Sequence, residues 1–194
     1  MRHRLSAFFY RIASWQTLLF SLVLYALFPG YILKNVEAQL NQYAGKAIGP
    51  LDLLLFNGNP SVVEQMIAQY GEAGRAYYAQ AELTADIVYP IVYTCLFCII
   101  LSLLFRQKSV SPSSSINVLP LVVWAIDMLE NTCIVWLLKS FPELPSPIVT
   151  ACLVFTNLKW IAFFAVIATV LYGLIRLAIR KFTRSRRQQA VKPV

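Results

Sequence analysis

Two acidic residues and an asparagine lie within a long apolar stretch of the chain, where charged side chains are costly. Asp127, Glu130 and Asn131 are spaced i, i+3 and i+4, so one face of a helix would carry all three. A charged group near the centre of a membrane-spanning helix costs about 2.5–3.5 kcal/mol, and such groups often serve a function. Carboxyl groups in this setting can transfer protons or act as counter-ions to a ligand. We therefore predict that Asp127 and Glu130 take part in catalysis or in ligand binding.

A lysine in the following apolar stretch is the predicted partner of these acids. At about 1.5 Å of rise per residue, Lys159 and Asp127 both lie roughly 17 Å from the outer edge of their helices. One ammonium group neutralises one carboxylate, and a carboxylate without a cation takes up a proton where the dielectric constant is low. We expect at least one of Asp127 and Glu130 to be protonated at neutral pH. Lys159 is the third predicted catalytic residue, which either tunes the acids or holds an anionic group of a ligand.

Polar side chains of an earlier apolar stretch extend this group towards the outer surface. The polar side chains within this stretch recur at helical spacing, so they share one face of the predicted helix. The polar side chains that precede the stretch have the same spacing. The predicted ligand-binding residues are Asp86, Tyr89, Tyr93 and Asn131, with Arg75 and Tyr78 at the entrance. For the two entrance residues, the alternative is an aromatic belt at the membrane interface with a surface ion pair.

A purely structural role is the alternative for the whole group. Lys159 would then pair with Asp127 while Asn131 bridges two helices, because buried polar side chains also fix how helices pack in a membrane. The unequal number of acids and lysines favours a ligand pocket that opens to the outer side.

The composition requires helices that cross a membrane. Of the 194 residues, 58% are apolar and 13% are charged, and the mean hydropathy is +0.61, whereas about a quarter of the residues of a soluble domain are charged. A membrane-spanning helix needs about 20 predominantly apolar residues. We predict an all-α fold, a four-helix bundle in the membrane, that forms one transmembrane domain over residues 1–194. The predicted spans cover about 15–33, 84–105, 118–138 and 148–175.

The segment between the first two spans, residues 34–83, is a predicted outer loop with helical structure of its own. Its apolar residues 51–56 are grouped, as in a segment that lies at the membrane interface. A helix is predicted from Ser61 onward, because Ser61 and Glu64 have the spacing of a capping box. We expect this helix to continue towards the second span with a bend near Gly71 and Gly74.

Lysine and arginine residues outside the spans predict the orientation. Twelve lie at the amino end, between spans two and three and in the basic tail 176–194, and four lie on the other side. The positive-inside rule therefore predicts that both termini are cytoplasmic. We expect these basic groups to bind anionic lipid headgroups rather than nucleic acid. A prokaryotic inner membrane is expected, because the chain is short and shows no eukaryotic targeting signal.

A pair of cysteines in the second span supports a minor alternative, a membrane thiol oxidoreductase. Cys95 and Cys98 form a C-x-x-C motif. Such a pair in a four-helix bundle resembles the DsbB and vitamin K epoxide reductase families of disulfide-generating membrane enzymes. Those families carry the pair near the outer end of a helix and a second pair in an outer loop, whereas the outer loops of this chain contain no cysteine.

Other chemistries lack the residues that they need. The single histidine, His3, lies in the basic amino end, so we expect no metal site, and no nucleotide-binding glycine motif predicts a cofactor. We predict a small membrane protein whose pocket binds or acts on a lipid, an isoprenoid or a small amphiphile. The alternatives are an accessory or assembly subunit of a larger membrane complex, a homo-oligomer, and a small transporter or proton path. No motif names a reaction, so the sequence leaves open whether the protein is an enzyme.

Overall fold

The computed structural model describes residues 2–56, 58–106 and 115–190, and within them it contains helices and no strand. The all-α prediction is therefore confirmed. Predicted features at 107–114 and 191–194, including the basic residues Lys108 and Lys192, lie outside the described residues. The helices are α1 (Arg2–Ile12), α2 (Trp15–Leu27), α3 (Leu33–Ala44), α4 (Pro60–Gln69), α5 (Gly71–Glu82), α6 (Ala85–Leu104), α7 (Pro120–Ser140) and α8 (Ser146–Ala190).

Four helical stretches are long and apolar enough to cross a membrane, as predicted, but all four are longer than expected. The π-helical turn Phe28–Ile32 joins α2 to α3, so the first stretch runs to Ala44 and continues through the predicted boundary at 33–34. The last helix continues into the basic tail and ends at Ala190. Charged residues do not end these helices, because lysine, arginine and glutamate are good helix formers.

Local sequence signals account for where two of the helices begin. Ser14 and Thr17 form a capping box at the start of α2, in which the backbone N–H of Thr17 donates to Ser14 Oγ at 3.2 Å. At α4 the predicted capping residue is wrong. The N-cap is Asn59, whose Oδ1 accepts from the backbone N–H of Val62 at 3.0 Å, because Pro60 favours the first position of the helix.

The predicted bend near Gly71 lies between α4 and α5. Gly71 has a φ of +67°, a left-handed conformation that glycine adopts without the steric cost of a side chain. Gly74, in contrast, lies inside α5, where its missing side chain lets the helix approach Tyr43 closely. A second break follows at Leu83 and Thr84, after which α6 begins.

The long helices pack around α7, which contacts α5, α6 and α8. Residues 45–56 and 58–82, which we call the cap segment, cover one end of α7 and α8. A cluster of buried apolar side chains joins the cap segment to these helices, including Leu51, Ile67, Ile134 and Val149. The cap segment thus closes this end of the bundle, and polar side chains of α6, α7 and α8 lie beneath it.

The amino-terminal helix α1 packs at the opposite end of α6. Ser6 Oγ donates to Asn117 Oδ1 at 2.6 Å, and Asn117 Nδ2 donates to Ser102 Oγ at 2.9 Å, so a buried polar network ties α1 to the bundle. The Arg106 guanidinium donates to the backbone carbonyls of Tyr10 and Ala13. It thereby satisfies carbonyls that the end of a helix leaves without partners.

Candidate functional site

A cavity of about 700 Å³ lies between the π-helical turn, the cap segment, α6, α7 and α8. Seven of the nine residues predicted from the sequence line it, and Glu130 and Arg75 do not. The seven are Tyr78, Asp86, Tyr89, Tyr93, Asn131, Asp127 and Lys159. The structure therefore brings together residues from three predicted spans and the outer segment, which are separated by up to 81 positions in the sequence.

Lys159 is at the centre of the charged groups. Its Nζ lies 3.3 Å from Asp127 Oδ1 and 3.9 Å from Asp52 Oδ2, and it also forms an ion pair with Glu130. Its side chain is only 12% exposed. Three carboxylates thus surround one ammonium group, whereas the sequence predicted two. An anionic group of a ligand would have to compete with these carboxylates, which argues against the interpretation that Lys159 binds an anion.

Glu130 lies behind Lys159, away from the cavity. Its side chain is completely buried, and Thr156 Oγ1 donates a hydrogen bond to Glu130 Oε1 at 2.6 Å. A hydroxyl donor and an ammonium group on one carboxylate form a charge-assisted arrangement that is stronger than a neutral hydrogen bond. Glu130 therefore positions Lys159, and in this arrangement it does not reach a molecule in the cavity.

Asp127 is the carboxylate that both contacts Lys159 and lines the cavity. The Tyr93 hydroxyl donates to Asp127 Oδ2 at 2.7 Å, while Asp127 Oδ1 faces Lys159. The two oxygens thus have different partners, one on α6 and one on α8. This geometry fixes the carboxylate at the cavity wall, where it can accept a hydrogen bond, serve as a counter-ion or exchange a proton with a bound molecule.

Asn131 has a structural contact that the sequence explains. Pro90 has no backbone N–H, so the carbonyl of Asp86, four residues before it, lacks its partner within α6. Asn131 Nδ2 donates to this carbonyl at 2.7 Å. Asn131 therefore bridges α7 to α6, as the structural alternative predicted, while the residue also lines the cavity.

The backbone carbonyl of Asp86 accepts a hydrogen bond from Asn131, whereas its carboxylate has no such partner among the described residues. It lines the cavity and is half-buried, and among the described residues it has neither a hydrogen bond nor an ion pair. One helical turn earlier, Glu82 is only 1% exposed, and no hydrogen-bond donor in the described part of the chain reaches its Oε2. Acidic side chains are thus in excess on this side of the cavity.

The sequence did not single out Asp52, which comes from the cap segment. Asp52 lies in a 3₁₀ turn of the predicted interfacial segment, and its backbone carbonyl accepts from Trp160 Nε1 at 3.2 Å. The Tyr78 hydroxyl donates to Asp52 Oδ1 at 3.3 Å and accepts from the backbone N–H of Leu51 at 2.9 Å. The sequence does contain one signal for Asp52: it is the only acid among the five apolar residues of 51–56, and acids are rare in such a segment.

Tyr70 supports this part of the cap segment. Its hydroxyl donates to the carbonyl of Gly49 at 2.8 Å, and its ring packs edge-to-face on Tyr78 at 5.5 Å. Burial, with the negative charges of Asp52 and Glu82 nearby, raises the pKa of Tyr70 well above its usual range. The hydroxyl therefore remains a neutral donor, and the turn that carries Asp52 is fixed from two sides.

Aromatic side chains form much of the remaining wall. Tyr25 stacks on Tyr89 at 5.9 Å, and the Tyr89 ring meets Tyr93 at 5.4 Å. On α8, Trp160 packs against Phe163 at 5.9 Å. These large side chains leave a space whose surface is mainly apolar, with charged groups converging at Lys159. Such a combination is typical of sites for small molecules and lipids.

Arg75 does not take part in the cavity. Its guanidinium lies 4.1 Å from the centre of the Phe141 ring, and its Nη1 donates to the Ile67 carbonyl at 3.4 Å. Tyr78 and Glu82, which helical spacing places on the same stripe as Arg75, are buried. No ion pair between Arg75 and an acid occurs in the described ranges. Arg75 therefore holds the cap segment against the connection between α7 and α8.

The cysteine pair of the second predicted span lies apart from the cavity. Cys98 is buried against Phe9 and Ala13 in the cluster around α1, with Cys95 packed beside it, and neither lines the cavity. Both are free thiols. Within the described ranges, no group of histidine, cysteine and acidic side chains is placed to hold a metal ion.

Comparison of the chain with protein-family models, with curated proteins and with solved structures found no match. The cavity and the residues that line it are therefore the basis for a functional assignment.

Proposed function

We propose that this chain is an integral membrane protein whose cavity binds a lipid, an isoprenoid or a small amphiphile. The observation that carries the proposal is the cavity of about 700 Å³, with aromatic and apolar walls and the charged residues Asp127 and Lys159 at one side. A site with few polar groups on an apolar surface suits a molecule that is itself largely apolar. The four long apolar helices support a location in the bilayer.

The orientation is part of the same proposal. With both termini in the cytoplasm of a prokaryotic inner membrane, the twelve basic residues that the sequence predicts on that side bind anionic lipid headgroups. The cap segment then lies on the outer side. A ligand would reach the cavity from the outer half of the membrane, past the π-helical turn Phe28–Ile32, whose Pro29 lines the cavity.

The lining residues have separate roles in this proposal. Asp127 contacts the polar part of the ligand. Tyr93 and Lys159 hold the carboxylate of Asp127 in place. Glu130 acts on the ligand only through Lys159. As a carboxylate, Asp127 can accept a hydrogen bond or a proton from a bound molecule.

Native mass spectrometry of the detergent-purified protein tests the proposal. The wild type is compared with Asp127→Asn, which keeps the size of the side chain and removes its charge. We expect the wild type to retain a defined molecule that the variant has lost. Glu64→Gln is the matched control, because Glu64 is an exposed acid on α4, and this variant should retain the molecule.

Two results would contradict the binding function. The first is an empty wild type, and the second is the same bound lipids in the wild type and in Asp127→Asn. Either result would favour the alternative that the protein is an accessory subunit of a larger membrane complex, where the buried charges serve packing. Circular dichroism and size-exclusion chromatography of each variant establish that the loss of ligand is not a loss of fold.

A further inference from the structure

We propose that the ligand of this cavity carries a positively charged organic headgroup, such as an alkylammonium group, and that Asp86 is its counter-ion. The inference rests on the proposed binding function and specifies its ligand class. It follows from the excess of acidic side chains around the cavity, from the carboxylate of Asp86, which like that of Glu37 lines the cavity without a partner among the described residues, and from the chemistry of the walls.

Acidic side chains outnumber basic ones in the lining of the cavity. Among the described residues that line the cavity there are four carboxylates and two lysines, Lys34 and Lys159. Lys159 already faces Asp52, Asp127 and the buried Glu130. Lys34 is exposed, and within the described part of the chain it forms no ion pair. A ligand that enters this space therefore meets more acidic than basic side chains.

Asp86 is a lining residue at the start of α6. Its carboxylate lines the cavity and is half-buried, yet the described residues supply neither a hydrogen-bond donor nor a cation for it. A carboxylate removed from water costs free energy unless a donor or a cation compensates it. Glu82, buried four residues earlier with an unpartnered Oε2, adds another acidic side chain on this side and no cation. A cation beside Asp86 would satisfy both the charge and the missing contact.

The walls favour an organic cation over an inorganic one. The acids within the described ranges are not grouped to hold a metal ion, whereas Tyr25 and Trp160 line the same space. Trp160 is held by its Nε1–H, which donates to the Asp52 carbonyl. Aromatic rings attract alkylammonium groups, and tryptophan does so most strongly. The apolar part of the wall, which includes Val123 and Phe163, would take a hydrocarbon chain.

A net-cationic amphiphile fits these observations better than a zwitterionic phospholipid. A phosphate next to the ammonium group would bring a negative charge towards Asp52, Asp86 and Asp127, and like charges at short distance repel. Lys159 cannot offset this repulsion fully, because three carboxylates already neutralise it.

Three probes with the same dodecyl chain test the inference: dodecyltrimethylammonium, the uncharged dodecyldimethylamine oxide and anionic dodecyl sulfate. The protein is placed in nanodiscs of a zwitterionic lipid, and equilibrium dialysis of labelled probe gives the dissociation constant after subtraction of empty nanodiscs. We expect the cation to bind at least about tenfold more tightly than the amine oxide, the effect of about one ion-pair or cation–π contact. Dodecyl sulfate should bind most weakly.

Variants of Asp86 locate the preference. Asp86→Asn should lower the affinity for the cation about tenfold and leave the amine oxide unchanged, while Asp86→Glu should keep most of the preference. The contact that bridges α6 and α7 uses the backbone carbonyl of Asp86, so both variants retain it. Glu72→Gln, an exposed acid on α5, is the control and should bind all three probes as the wild type does.

The outcomes separate this inference from the proposed function. If all probes bind equally, or if the amine oxide or dodecyl sulfate binds best, the cavity is a binding site but the cationic headgroup is refuted. If Asp86→Asn keeps the preference for the cation, as the control Glu72→Gln should, Asp86 is not the counter-ion. If no probe binds above empty nanodiscs, the binding function fails together with the inference.

Discussion

Replacement of Lys159 by methionine should be among the most destabilising single changes in this protein. Methionine has a similar length and no charge, so the variant removes the ammonium group from Asp127, Asp52 and Glu130 with little change in packing. Removal of one partner of a buried ion pair costs about 3–5 kcal/mol, because it leaves an uncompensated charge. This range applies here because Glu130 is completely buried and Lys159 is only 12% exposed. Asp52 is 27% exposed and contributes less.

A second substitution tests the origin of this loss. In the variant Lys159→Met/Glu130→Gln, the most deeply buried carboxylate is replaced by an amide whose oxygen still accepts from Thr156 Oγ1. We expect the double variant to be more stable than Lys159→Met alone. The coupling energy between the two positions should be about 1–3 kcal/mol, the range for residues that share one polar network.

The free energy of unfolding of the four proteins in the cycle is measured by titration with sodium dodecyl sulfate in mixed micelles and followed by circular dichroism. Lys34→Met is the control, because Lys34 is exposed, and its effect should be within about 0.5 kcal/mol. Equal small effects of Lys159→Met and Lys34→Met would refute the importance of the buried charge. So would a double variant whose loss is the sum of the two single losses.

Two further predictions concern contacts outside the cavity. Gly74→Ala places a Cβ 2.9 Å from Tyr43 Cβ, an atom that cannot move without its backbone. Such overpacking costs about 1–3 kcal/mol of stability. This cost exceeds the gain of about 0.5–1 kcal/mol that alanine brings in helix propensity. We therefore expect a net loss of about 1 kcal/mol in the same titration. Arg106→Gln removes the charged donor of the carbonyls at the C-terminal end of α1, including that of Ala13. A charged hydrogen bond at this exposed site contributes about 1 kcal/mol, so amide hydrogen exchange in α1 should become several-fold faster.

Both predictions have results that would contradict them. A more stable Gly74→Ala variant would mean that α5 moves away from α3 at little cost. Unchanged exchange in α1 after Arg106→Gln would mean that Ser6 and Asn117 hold this helix without the arginine. Arg4→Gln, an exposed change on α1 itself, is the control for the exchange experiment.

The sequence predicted the helices and part of the site because both depend on short-range periodicity. Asp127 and Lys159 were paired from their matching depth, and the rise per residue of a helix is nearly constant. Asn131 was predicted to bridge helices without a named partner. Its partner could have been found from Pro90, because a proline within a helix always leaves the carbonyl four residues earlier without its N–H.

The contributions of the cap segment could not be predicted in the same way. Asp52 reaches Lys159 across 107 positions of sequence, and its turn has no periodicity that would indicate which side faces α8. The same limit applies to Arg75. Helical spacing placed it on one stripe with Tyr78, but only the packing of α5 on α7 decides that Tyr78 is buried and that Arg75 lies against Phe141. Such choices are made by tertiary contacts, which a helical pattern does not contain.

The excess of acids argues that the charged cluster does more than hold helices together. A structural ion pair needs one acid for each lysine, and Lys159 with Glu130, whose carboxylate also accepts from Thr156, already meets that need. Asp52, Asp86 and Asp127 exceed that need, and all three line the cavity. If they served packing alone, an amide at position 86 would be at least as stable, since an unpaired half-buried carboxylate costs free energy. Side chains that lower stability yet line a cavity are the usual cost of a binding site. Asp86→Asn should therefore weaken binding of the cationic probe without lowering the free energy of unfolding in the titration. If the variant lowers both the affinity and the free energy of unfolding, Asp86 has a structural role.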